Sequence, residues 1–320
     1  MSKATKAWLI AAASLVAVGL ILFAAVMTVY RGDFTRLGTV RFETNTHEVS
    51  EEFTAIQINT ETADILFAAS GDNGCRVVCC EEETAKHSVS VQDGTLIIAA
   101  ADKREWYKRI GFGFRSPTVT VYLPKAAYGS LVIRESTGDI TLPEGLTFDS
   151  VDLDLSTGQV DSHASAAGLM RIKTSTGDIR LRDLSAGELD LTVTTGQVDV
   201  RAVSCRGAVG VSVSTGEAKL TDISCRRVVS AGSTGDTAME NVIATERISV
   251  ERSTGNVRLA GCDAGELEIT TDTGDVTGSL LSDKVFIAHS DTGRVDVPET
   301  ATGGKCKITT DTGDIRMTVE

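Results

Sequence analysis

Apolar residues in the second half of the chain recur on a period of 19 or 20 positions, in step with an equally regular glycine. The glycine stands at Gly138, Gly158, Gly177, Gly196, Gly216, Gly235, Gly255, Gly274, Gly293 and Gly313, with spacings of 20, 19, 19, 20, 19, 20, 19, 19 and 20. Each is preceded by a threonine, from Thr137 to Thr312. Seven positions before the glycine lie Leu131, Val151, Met170, Leu189, Val209, Val228, Ile248, Leu267, Phe286 and Cys306. Five before it are mostly aliphatic residues such as Ile133, Leu153, Ile172 and Ile308, and two after it Ile140, Val160, Ile179 and Ile315. Steps of two on either side of a turn are the period of a strand, so each repeat is a set of short strands with a corner at Thr-Gly. Glycine supplies a positive φ at that corner at little cost, and the preceding Ser, Thr or Asp can bond the local backbone.

One such repeat cannot satisfy its own strand edges, so the repeats must stack. The outward positions agree. Three after the glycine, successive repeats read Asp161, Arg180, Asp199, Lys219 and later Asp296, Arg316; six before it they read Asp152, Arg171, Asp190. Opposite charges on neighbouring strands stabilise each other. The pattern predicts an all-β fold: a parallel β-solenoid, of the β-helix or β-roll kind, with about ten coils of 19 to 20 residues and a length of about 48 Å. Residues 131 to 320 form the regular repeats. Residues 50 to 130 alternate less regularly, in Ile56 and Ile58, Val89 and Val91, Val119 and Val121, and are expected to be amino-terminal capping coils; Thr62 to Ile65 look like a decayed corner.

A different pattern opens the chain. After a short tail of residues 1 to 6, residues 7 to 30 carry no charged side chain, with Trp8 and Tyr30 at the two ends. That length crosses a hydrocarbon core of about 30 Å, so one transmembrane helix precedes the solenoid, joined by a linker of residues 31 to 49. A cleaved signal peptide is the alternative, but the apolar run is long for one and no small-x-small cleavage site precedes Arg31. No cysteine lies in the segment to accept a lipid. Lys3 and Lys6 on one side face Arg31, Arg36 and Arg41 on the other, so charge counting leaves the orientation open.

Aromatic residues make up only 5% of the chain, against thirty glycines, which suits a narrow core of short strands. The net charge of -13 argues against a nucleic-acid partner. Seven cysteines are an odd number for an exported domain, where thiols usually pair.

Val121, Tyr122, Leu123 and Pro124, followed by Leu131 to Ile133 and by Ser-Thr-Gly-Asp-Ile repeats at Ser136 to Ile140 and Ser175 to Ile179, resemble the bacterial putative-adhesin family of strand-repeat proteins, a domain of unknown function. The resemblance covers roughly residues 50 to 320. It implies a protein of the bacterial cell envelope, with the solenoid outside the cytoplasm, and it carries no catalytic residues.

The strongest candidate for contact with a partner or a membrane is the stretch from 103 to 115, where Lys103, Arg104, Lys108, Arg109 and Arg115 mix with Trp106, Tyr107, Phe112 and Phe114 inside an acidic protein. Such a mixture can insert at anionic headgroups; it can equally cap the solenoid end with solvated cations. Asp272, Asp291 and Asp311 would stack in one column of the last three repeats, a weak calcium site or simply three turn residues. Cys75, Cys79 and Cys80 fit a metal cluster poorly: neighbours on a strand face opposite ways, and no second pair or histidine lies at ligand spacing. Cys205 and Cys225 share one slot in adjacent coils and are expected inside, as are Cys262 and Cys306. Strands end at Glu320 with no covering element, so the carboxyl-terminal edge either invites self-association or strand addition, or frays and is protected by the charges of Lys305, Lys307 and Arg316.

Three functions fit: a non-catalytic, membrane-anchored interaction scaffold of the cell envelope, an accessory protein of envelope-stress sensing, or a carbohydrate-active β-helix enzyme. The enzyme needs clustered carboxylates beside a base. Asp152 and Asp154 next to Arg171 and Lys173 offer this, yet the charge ladder already accounts for them. No catalytic residue, cofactor or metal is therefore predicted.

Overall fold

The computed structural model describes residues 2–29, 41–71, 74–100 and 116–320. A single helix, α1 (Lys3–Val29), opens the chain. Ser2 caps it, its Oγ accepting the Thr5 amide at 3.1 Å, which starts the helix four residues before the uncharged segment. At 27 residues it is about 40 Å long. Its apolar side chains, Trp8, Leu15 and Phe23 among them, are exposed, and it is long and apolar enough to cross a membrane.

The rest is β-structure. The amino-terminal strands are β1 (Phe42–Val49), β2 (Ala55–Thr62), β3 (Asp64–Ala69), β4 (Cys75–Glu82), β5 (His87–Gln92), β6 (Thr95–Ala100) and β7 (Thr118–Leu123). The regular coils comprise β8 (Ala127–Thr137), β9 (Ile140–Leu142), β10 (Thr147–Thr157), β11 (Val160–Ser162), β12 (Ser165–Thr176), β13 (Ile179–Thr195), β14 (Val198–Cys205), β15 (Ala208–Thr215), β16 (Ala218–Thr234), β17 (Thr237–Thr254) and β18 (Val257–Thr273). The last coils are β19 (Val276–Leu280), β20 (Lys284–Thr292), β21 (Val295–Asp296), β22 (Gly304–Thr312) and β23 (Ile315–Val319).

Pairing between coils is parallel and in register, as the two ladders require. Asp152 lies beside Arg171 and Arg171 beside Asp190, while Asp161, Arg180, Asp199 and Lys219 follow one another. The fold is a parallel β-solenoid of about ten turns. Five consecutive coils bend twice: once at Thr-Gly, and again six residues later, where Asp183, Ala202, Asp222, Asn241 and Gly261 all have φ between 51° and 58°. That second corner splits the coil into shorter straight runs and resets the strand alternation, so Arg201 and Ala202 are both exposed between buried Val200 and Val203.

Order along the stack departs from order along the chain at both ends. The coil of β2 and β3 is inserted between that of β6 and β7 and that of β8 and β9. At the far end, β22 lies between β18 and β20, and β23 between β19 and β21. The expectation of an open edge at the carboxyl terminus is therefore corrected: the last strands in sequence are interior, and the coil of β20 and β21 forms the edge. The inserted coil buries Cys306, Ile308, Ile315 and Met317, whereas in the edge coil Val285, Ile287 and Val295 are exposed. Lys284, buried itself, pins the edge coil by donating to Asp263 at 2.6 Å.

Thr62 to Ile65 do form a corner of the same column, with Ala63 donating to the Thr137 carbonyl at 3.1 Å. The cap beyond is antiparallel: β1 on β4, β4 on β7, and β5 on β6.

Candidate functional site

Lys103, Arg104, Trp106, Tyr107, Lys108, Arg109, Phe112, Phe114 and Arg115 lie outside the described residues. The strands they connect, β6 and β7, belong to the coil next to the antiparallel cap. A groove of about 680 Å³ opens at the same end, between Glu51, Phe53, Cys75, Pro124 and Tyr128. Phe53 stacks on Tyr128 with ring centroids 6.2 Å apart, and Tyr128 tilts against Phe148 at 5.8 Å. The Tyr128 hydroxyl donates to the Pro124 carbonyl at 2.9 Å; burial pushes its pKa up to about 12, so it stays protonated and acts as an anchor for the groove floor.

The cap also gathers chemistry that spacing along the chain conceals. On β4 the side chains of Cys75, Val77, Cys79 and Glu81 point inward, and Cys80 is only partly covered. The alternation expected for adjacent cysteines holds. His87, at the start of β5, meets Glu81 after the chain reverses: its Nδ1 lies 2.7 Å from Glu81 Oε2, which also accepts the His87 amide at 2.6 Å. Asn45 on β1 donates to Glu81 Oε1 at 2.7 Å. Cys79, Glu81 and His87 are all buried, and one ligand atom from each lies within 4.8 Å of the others. Burial, with Glu81 adding to it, pushes the Cys79 thiol up to about 12.

The ten repeat glycines take the corner position, and nine pack so closely that a methyl group on one would overlap the carbonyl oxygen of the glycine in a neighbouring coil; Gly138 meets that of Ala63 instead. The residue after the glycine, rather than the one two before it, staples the corners together. Asp139 Oδ1 accepts the Gln159 amide at 2.8 Å, Asp178 that of Gln197 at 3.0 Å, and Asp275 that of Asp314 at 2.8 Å. Asp272, Asp311 and Asp291 stack in that spatial order and are exposed; the Asp291 carboxylate meets His289 at 2.8 Å.

Three before the glycine runs a further inward column that has no hydrophobic signature: Glu135, Leu155, Thr174, Val193, Val213, Gly232, Arg252 and Thr271. Thr174 and Thr271 donate to the carbonyls of Gly158 and Gly255. Arg252, 1% exposed, fills the space above Gly232 and donates to Thr237 at 2.7 Å and to the Val213 carbonyl at 3.1 Å. Glu135 accepts the amides of Ala63 and Thr137, and burial raises its pKa to about 7. Of the seven free cysteines all but Cys80 are buried; Cys205 and Cys225 both face inward as expected, and Cys262 and Cys306 lie in the core.

No curated protein matches the chain in sequence. A family model described as Toastrack DUF4097 matches residues 53–212 and again 206–320. Three solved structures resemble it loosely. A putative adhesin from Bacteroides fragilis aligns with 14% identity over 88% of this chain and 97% of its own, with a TM-score of 0.41. A putative lipid binding protein from Parabacteroides distasonis aligns with 13% identity over 86% and 96%, with a TM-score of 0.49. A putative adhesin from the same organism gives 13% identity over 87% and 98%, with a TM-score of 0.46.

Proposed function

The chain belongs to the Toastrack DUF4097 family, and we propose that it serves as a non-catalytic, membrane-anchored interaction scaffold of the cell envelope, with the solenoid outside the cytoplasm. The observation that carries this reading is the placement of the cap. Only residues 30–40 separate α1 from Arg41, the next described residue, a tether of at most about 40 Å. The strands that flank the stretch from 103 to 115 stand at the same end of the solenoid, and the five cations and four aromatics of that stretch suit anionic headgroups or a membrane-bound partner. The interior of the coils is filled by aliphatic columns, which leaves binding to the outer faces and the ends.

Burial of six of the seven thiols eases the tension between an odd number of cysteines and an oxidising compartment. Desolvation pushes Cys75 up to about 11 and Cys225 and Cys306 up to about 12. A buried thiol that stays protonated reacts slowly with oxidants.

The test is labelling of intact cells with a membrane-impermeant thiol reagent, using Lys108→Cys in a Cys80→Ser background so that the partly covered native thiol does not report. Labelling before lysis is the expected outcome. Labelling confined to lysed cells would place the solenoid in the cytoplasm and overturn the proposal.

A further inference from the structure

Independently of that function, the amino-terminal cap contains a constellation of donors that a scaffold does not require. We infer that Cys79 Sγ, the Glu81 carboxylate and the His87 imidazole bind one divalent transition-metal ion of the zinc class. A thiolate, an imidazole and a carboxylate are the three side-chain donors that zinc takes, at bond lengths of about 2.0–2.3 Å. The soft sulfur disfavours calcium and magnesium, which take oxygen ligands.

Three features support the assignment. The donors come from two strands in different stacks, β4 and β5, yet their ligand atoms lie within 4.8 Å of one another. Coordination opens the 2.7 Å contact between His87 and Glu81 to the spacing of about 3.3 Å that such bond lengths dictate, a small side-chain rotation. Second, the carboxylate is already oriented by two outer donors, the Asn45 side chain at 2.7 Å and the His87 amide at 2.6 Å, as ligating carboxylates usually are. Third, all three groups are at least nine-tenths buried. A thiol, an imidazole and a carboxylate enclosed together are costly to desolvate, and a shared cation offsets that cost.

The ion would also have mechanical work to do. Among the described residues β5 pairs in a ladder with β6, and β4 with β1 and β7, so the two stacks at this end share no ladder among those residues. A metal bridging Cys79 and Glu81 on β4 to His87 on β5 would clamp them, leaving the regular coils beneath unaffected.

The experiment is a titration of the full-length protein in detergent, reduced and stripped with chelator, first with Zn²⁺ by calorimetry and then with Co²⁺ by absorption. One ion per chain is expected, with a thiolate-to-cobalt charge-transfer band in the near ultraviolet. Cys79→Ser should abolish the band, and Cys80→Ser should retain it. Glu81→Gln and His87→Gln should weaken Zn²⁺ binding at least tenfold while the far-ultraviolet β signal of the solenoid is kept. A wild-type protein with no cobalt–thiolate band overturns the inference whatever the variants do, as does an undiminished band in folded Cys79→Ser.

Discussion

A methyl group added at Gly196 would overlap the carbonyl oxygen of Gly177, and the backbone there has φ 141°. Both facts forbid a side chain, so Gly196→Ala should destabilise the solenoid by about 2–4 kcal/mol, read from urea unfolding, while Gly71→Ala, which meets nothing within 4 Å, should be close to neutral. Glu135 makes a prediction of a different kind. Burial raises its pKa from 4.5 to about 7 in the folded chain. Because the folded pKa is the higher one, the folded state binds the proton more tightly: the contribution of Glu135 to stability is greatest below about pH 4.5 and is lost as pH rises through 7. Glu135→Gln removes that decline, since it keeps an acceptor and carries no charge. At pH 8 it should gain about 1–3 kcal/mol over the native chain, at about 1.4 kcal/mol per pKa unit, with little gain at pH 4; a gain of equal size at both pH values would show that ionisation is not the cause. Neither Glu135 nor Arg252 stood out in the sequence. Their column mixes Glu, Leu, Thr, Val, Gly and Arg, and hydrophobic periodicity reports an inward position only where the residues are apolar.

Among the elements, β21 and β23 offer a direct test of the exchanged coils. Val295 and Ile315 occupy the same slot in consecutive repeats, and periodicity alone treats them alike. In the stack Val295 is 44% exposed on the edge, whereas Ile315 is fully buried between β19 and β21. Val295→Asp should therefore cost under about 1 kcal/mol, and Ile315→Asp about 3 kcal/mol or more, because it leaves an unpaired carboxylate in the core. The reverse order of costs, with Val295→Asp the more damaging, would mean that the coils stack in sequence order. The charge ladders illustrate a limit of the same kind. Their register was legible from alternating signs, but the contacts that form are partly within one coil: Arg180 reaches Asp178 at 2.8 Å and Arg201 reaches Asp199 at 2.9 Å, while Arg171 does span coils to Asp190 at 3.0 Å. Long flexible side chains choose among several acceptors once the strands are aligned, and exposed pairs of this sort contribute little each.

On the scale of the whole molecule, an apolar helix precedes a stack whose ends differ, with an antiparallel cap at one end and a displaced coil at the other. Repetition made the middle of this protein readable. A residue type that recurs every 19 or 20 positions must face the same neighbour in the next coil, so the strand period, the glycine corners, the parallel register and the apolar span follow from local pattern and nearest-neighbour stacking. The ends have no such neighbour on one side, and there the chain chose among alternatives by total burial. That choice inserted β2 and β3 next to β8 and β9, placed β22 and β23 inside the stack, and folded β5 back so that His87 reached Glu81 and Cys79. Composition along the chain determined the solenoid; the order of its end coils, and the donor cluster in the cap, were decided only when non-repeating segments competed for the same buried surface.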